Sequence, residues 1–155
     1  MATLTTTIRE SVTLNNAEQG GTITKEITGI NHVFKRIVTC VDDQDCTIAT
    51  FQTATNTSDG AIDLEDVRYI RVTNLETSHP CNLSLQVAGG EDGSANMSSS
   101  HLLQAGESFI LHVVHDGIAV KDDAATIVTA LTDLESLLVD PLSENVKVEV
   151  FVASV

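Results

Sequence analysis

The sequence predicts an all-β protein, an antiparallel β-sandwich of jelly-roll type, and three observations predict it. Apolar and polar residues alternate from one end of the chain to the other, which is the period of strands buried on one face. Aromatic residues make up only 3% of the chain, with no Trp, so the core must be built from Val, Ile, Leu and Ala. Together with abundant Thr, that is the composition of pleated, half-buried surfaces. Turn signals separate about ten short runs without any βαβ alternation, which favours stacked antiparallel sheets over a parallel α/β fold. At 155 residues the chain is expected to form one domain spanning 1–155, large enough to bury roughly 70% of the surface exposed when unfolded.

The first run, "TLTTTIRESVTL", places Leu4, Thr6, Ile8, Val12 and Leu14 on one parity, interrupted by Glu10. Segment 1–14 is read as a strand or a contact arm. "GGTITKEITG" sets Ile23 and Ile27 on one face between glycines. "HVFKRIVTCV" and "CTIATFQT" are expected to form a hairpin over 36–51 around the acidic turn "VDDQD". Residues 56–66 read as a long loop with Asp59–Gly60 as its turn signal. In "VRYIRVTNLETSHPCNLSLQV" two alternating runs flank a polar break, with Cys81, Leu83, Leu85 and Val87 on one parity, and a second hairpin is expected there.

"AGGEDGSANMSSS" (88–100) is rich in Gly, Ser and Asn, the composition of a surface loop or of a contact arm that orders on a partner. A turn at Ala105-Gly106-Glu107 leads into a strand with Phe109, Leu111 and Val113 on one face. The last run alternates strictly through Val146, Val148, Val150 and Val152, and such a strand belongs inside a sheet. One stretch departs from this period. Ile127, Leu131, Leu134 and Leu138 are spaced by four, three and four, which predicts a short helix around 126–138, with two short strands as the alternative.

The chain has 8 basic and 22 acidic residues, a formal charge of -14 spread along its length. Direct contact with nucleic acid or an anionic membrane is therefore not expected. The N-terminus lacks the basic and apolar regions of a secretory signal, and no run reaches the roughly 18 apolar residues of a membrane span. Synthesis in a cytosol is the expectation. Cys40 and Cys46 flank "VDDQD" closely enough for a disulfide across the base of a hairpin, whereas a cytosolic origin favours free thiols and leaves Cys81 unpaired in either case.

Catalytic signatures are missing. There is no GxSxG elbow, phosphate-binding loop or dinucleotide fingerprint, and an enzyme is not expected. His112 and His115 in "HVVH" point to opposite faces of a strand, and no Cys/His pair has zinc spacing. The acidic clusters 42–45 and 63–66 lack the EF-hand pattern and read as turn initiators. No cofactor or metal is expected.

"YIRVTNLETSHPCNLSLQV", "LLQAGESFILH" and "VKVEVFVASV", in this order and spacing, resemble small β-rich virion proteins of tailed bacteriophages, particularly marine and cyanobacterial podoviruses. The likeness covers roughly residues 68–155. It implies a capsid decoration or cement protein whose partners are the major capsid protein or other virion subunits, with a homo-oligomer, trimer or dimer, as its form. A tail or adaptor component, or a receptor- or carbohydrate-binding sandwich, is the alternative. Sugar sites usually present aromatic platforms, and this chain is poor in them. Candidate contact residues are Thr3, Leu4, Thr5 and Ile8 in the first strand and Glu91, Asp92, Asn96 and Met97 in the Gly/Ser-rich segment.

Overall fold

The computed structural model describes residues 1–52, 60–87, 97–112 and 134–155. Among them the regular structure is entirely β. The N-terminal strands are β1 (Ala2–Arg9), β2 (Thr13–Leu14), β3 (Ala17–Glu18) and β4 (Thr22–Ile30). They are followed by β5 (His32–Cys40), β6 (Cys46–Gln52), β7 (Ile62–Asp63), β8 (Val67–Asn74) and β9 (Cys81–Val87). The last four are β10 (Met97–Leu103), β11 (Ser108–Leu111), β12 (Leu134–Asp140) and β13 (Val146–Ser154).

Two sheets make the sandwich, one in the order β11-β8-β13-β5 and one in the order β10-β9-β12-β6-β7. Leaving out short β7, the antiparallel pairs are nested: β5 with β13, β6 with β12, β8 with β11, β9 with β10. First pairs with last and second with second-to-last, as when one long antiparallel ribbon is rolled up. This is the jelly roll. The sandwich expectation thus holds, with the strict C-terminal alternation explained: β13 lies between β5 and β8, and Val146, Val148, Val150 and Val152 are all buried. Across the interior they meet Cys81, Leu83, Leu85 and Val87 of β9 with Leu134, Leu137 and Val139 of β12. Each such side chain contributes roughly 1.5–3 kcal/mol by leaving water.

Both expected hairpins are corrected. β5 and β6 lie in different sheets, as do β8 and β9, so the breaks at 41–45 and 75–80 carry the chain from one sheet to the other across roughly 10 Å. Longer polar connections suit that span, where a two-residue turn would have kept the strands side by side. The second crossing is pinned by Asn74, fully buried. Its amide donates to the carbonyls of His79 (2.8 Å) and Leu103 (3.2 Å), and its Oδ1 accepts from the Glu76 N–H (3.0 Å).

The expected helix is also corrected where it can be seen. Residues 126–133 lie outside the described residues, and Leu134–Leu138 belong to strand β12. Leu134 pairs with Val87 and Ser136 with Gln86, so Glu135 is an extra residue at a β-bulge. The bulge puts Leu134 and Leu137 on the same buried face, while Leu138, which the helical spacing grouped with Leu134, is only half-buried. The loop expectations shrink as well. Met97–Ser100 begin β10 opposite Val87–Ser84, and Ile62–Asp63 pair in parallel with Phe51–Gln52.

Candidate interaction surface

Residues 2–30 form a long β-ribbon with a tip of two residues. Asn15 and Asn16 both have positive φ (52° and 64°), the mirror-image turn that matches strand twist and that Asn tolerates better than most L-residues. The register is unbroken from Thr3 opposite Thr28 to Leu14 opposite Ala17. Between the paired segments Glu10 N–H donates to Gly21 O and Gln19 N–H to Val12 O, both at 2.8 Å.

Gly20 lies close against the Glu10 backbone in that middle section. The Glu18 carboxylate fills it by accepting the N–H groups of Val12 and Gly20, each at 2.9 Å, and these bonds hold its pKa below the usual range. Gly20 is required there, because a Cβ would come 2.0 Å from the Glu10 carbonyl oxygen.

The ribbon has two distinct faces. One is threonine-rich, with Thr3, Thr5 and Thr7 opposite Thr28, Glu26 and Thr24. The other carries Leu4, Ile8, Ile23 and Ile27 and continues in parity through Glu10, Val12 and Leu14. Only the base of this face is covered. Leu4 and Ile27 pack with Ile30, Tyr69, Phe151, Ala153 and Val155 on the outer side of the four-stranded sheet. Further out, Ile8, Val12, Leu14 and Ile23 are exposed, from 41% to 68%. Both long edges of the ribbon lack a strand neighbour among the described residues. The arrangement supplies unsatisfied ladder groups and an apolar stripe together, the ingredients of strand addition.

Of the sequence-derived contact residues, Thr3, Leu4, Thr5 and Ile8 lie on the ribbon, with Leu4 at its packed base. Met97 is half-buried in β10. Glu91, Asp92 and Asn96 lie outside the described residues. Sequence reasoning set Ile23 and Ile27 of β4 on one face but missed that this strand pairs with β1; the available signal was Asn15-Asn16 between two alternating runs.

The other candidates have structural duties. Asp42 Oδ1 accepts the Asp43 N–H and Asn145 Oδ1 the Asp42 N–H, so this acidic cluster builds a turn. Asp63 Oδ1 likewise accepts the Glu65 N–H. No group of three or more His, Cys, Asp or Glu among the described residues is placed to hold a metal. All three cysteines are free thiols. Burial and the adjacent Cys46 push the Cys40 thiol up to about 12, and burial pushes Cys81 up to about 11. Both are poor nucleophiles at neutral pH. His112 stacks edge-on against Tyr69, ring centroids 5.5 Å apart; His115 lies outside the described residues. On the outer sheet face Glu149 is bridged by Lys35 (3.2 Å) and Arg71 (2.5 Å).

No protein-family model matches the chain, and no curated protein matches it. A solved structure of Bacillus endospore appendages, described as a novel family of disulfide-linked pili, aligns with a TM-score of 0.38 and 10% identity, covering 83% of this chain and 92% of that one. A likeness at that level carries no conclusion here. The strand order itself defines the class: a jelly-roll β-sandwich bearing an N-terminal ribbon.

Proposed function

We propose that the chain is a non-enzymatic structural subunit of a virion, a decoration or cement protein holding the outer surface of a phage shell through repeated contacts with the major capsid protein or neighbouring subunits. The observation that supports this reading most is the ribbon, a two-stranded element whose apolar outer half is exposed. Isolated two-stranded ribbons are marginal in water, so one presented this way gains order by being covered. The resemblance of residues 68–155 to phage virion proteins supplies the setting. The binding mechanism is avidity, in which many copies each bury a modest area and together resist disassembly. Synthesis takes place in the host cytoplasm and the working location is the particle.

Purified particles resolved on a denaturing gel test this directly. A high-copy band near 16.5 kDa, together with shells that rupture more readily when the gene is deleted, is the expected result. A low-copy band would move the protein to the tail or its adaptor. Intact shells that fail only in adsorption would replace cementing with receptor binding, and absence from the particle would overturn the reading.

A further inference from the structure

We propose that the open edge of β1 pairs antiparallel with the same edge of a second copy of this chain, joining two ribbons into one four-stranded sheet about a two-fold axis. The inference rests on the structural-subunit reading above and names what takes the ribbon's open edge. Backbone phase decides which residues can pair. The bond from Glu10 N–H to Gly21 O (2.8 Å), with the pairing of β1 and β4, directs the ladder groups of Leu4, Thr6, Ile8 and Glu10 into the ribbon. Those of Thr3, Thr5, Thr7, Arg9 and Ser11 therefore point to the open edge. A two-fold antiparallel pair centred on Ile8 sets Thr7 opposite Arg9 and Thr5 opposite Ser11 of the second copy as the bonded pairs. Between them fall the non-bonded pairs, where side chains come closest: Ile8 opposite Ile8, Leu4 opposite Val12 and Thr6 opposite Glu10.

Charge selects this edge. Ala2 to Ile8 carry none, whereas Lys25 and Glu26 interrupt the other edge of the ribbon and Lys35 and Arg36 the edge strand β5, the usual protection against edge pairing. β10 has no acid, lysine or arginine either, but it belongs to the sandwich. Residues 31–155 hold 6 of the 8 basic and 19 of the 22 acidic side chains, so pairing there would press two strongly acidic bodies together, while contact through the ribbons keeps them apart. The pairing costs one repulsion, since the two Arg9 side chains become diagonal neighbours on the threonine-rich face. It also has a gain: a two-stranded ribbon is marginal alone, and three or more strands with an apolar face can stand by themselves. Because the axis is perpendicular to the joined sheet, Ile8, Val12, Leu14 and Ile23 of both copies lie on one face, doubling the stripe offered to a shell. The contact is isologous and closes at two copies.

Sedimentation equilibrium of the full-length protein should approach twice the 16.5 kDa chain mass with rising concentration and stop there. Thr7→Pro removes an N–H from the open edge without touching the β1–β4 ladder, and should weaken association about tenfold or more. Arg9→Thr should strengthen it. Disulfide trapping reads the register, because a non-bonded antiparallel pair holds its Cα atoms about 4.5 Å apart, within disulfide reach. In a Cys46→Ser background with oxidised glutathione, Ile8→Cys should cross-link to itself and Thr6→Cys should cross-link to Glu10→Cys in an equimolar mixture, while Ile23→Cys should stay monomeric on a non-reducing gel. Thermal unfolding confirms that each variant is folded. A monomer at all concentrations overturns the inference, as does a dimer that Thr7→Pro leaves intact or that Ile23→Cys traps and Ile8→Cys does not, which would mean face-to-face contact. A monomer found in high copy in purified particles overturns the inference alone; a dimer trapped through Ile8→Cys but absent from particles overturns the function alone.

Discussion

The ribbon and strand β13 are written in much the same alphabet and meet opposite fates. Both alternate β-branched residues with polar ones, and both form regular antiparallel ladders. Val146, Val148, Val150 and Val152 of β13 are essentially inaccessible, whereas Ile8 and Ile23 of the ribbon stand 41% and 68% exposed. The difference is in the neighbours: β13 has a strand on each edge and a second sheet over its apolar face, while the outer part of the ribbon, among the described residues, has only its own other half. Alternation specifies that a face is to be buried, and the fold supplies a cover for one such face and leaves the other exposed.

Substitutions that remove one apolar side chain from each region break the comparison most sharply. Leu137→Ala, in the closed core, should cost about 2–5 kcal/mol, read as a lower denaturant midpoint. Ile23→Ala should change monomer stability by no more than about 0.5 kcal/mol. An equal loss in both would mean that the ribbon is part of the core. Asn74→Ala comes next, at about 1–3 kcal/mol, because it strands the carbonyls of His79 and Leu103 inside the sandwich. The same denaturant series measures it.

Gly20→Ala should act on the ribbon alone. The added methyl collides with the Glu10 carbonyl, so amide exchange at residues 10–21 should accelerate while the sandwich midpoint stays where it was. The smallest effect is expected from acid. Arg71 and then Lys35 hold the Glu149 carboxyl below its ordinary value, so the stability it lends is present above the unfolded pKa, about 4.3. That stability is lost as pH falls through the lower folded value. Glu149→Gln should flatten this part of the acid-unfolding profile, and an unchanged slope would remove the bridge from the account of stability.

Much of the architecture was legible in the sequence. Cys81, Leu83, Leu85 and Val87 were placed on one buried face by parity alone, as were the four valines of β13, and all eight are buried. The bulge at Glu135 was not legible, because an extra strand residue breaks the two-residue period and leaves the buried Leu134 and Leu137 three apart. The candidate surface was half legible: Thr3, Leu4, Thr5 and Ile8 sit on the ribbon, and Glu10 stood out as an interruption in an apolar row. Strand β4 went unrecognised as their partner because the Asn15-Asn16 turn was not read.

The sequence by itself determined where strands run, which parity of each is apolar, and that the core is aliphatic, since these follow from side-chain period and local turn chemistry. Only the tertiary structure decided which strands pair, that 41–45 and 75–80 cross between sheets, and that one apolar face is left uncovered. Those outcomes depend on contacts between residues distant in the chain, including the β5–β13 ladder that joins Cys40 to Val146. A period of two names the face of a strand but carries no address for its neighbour.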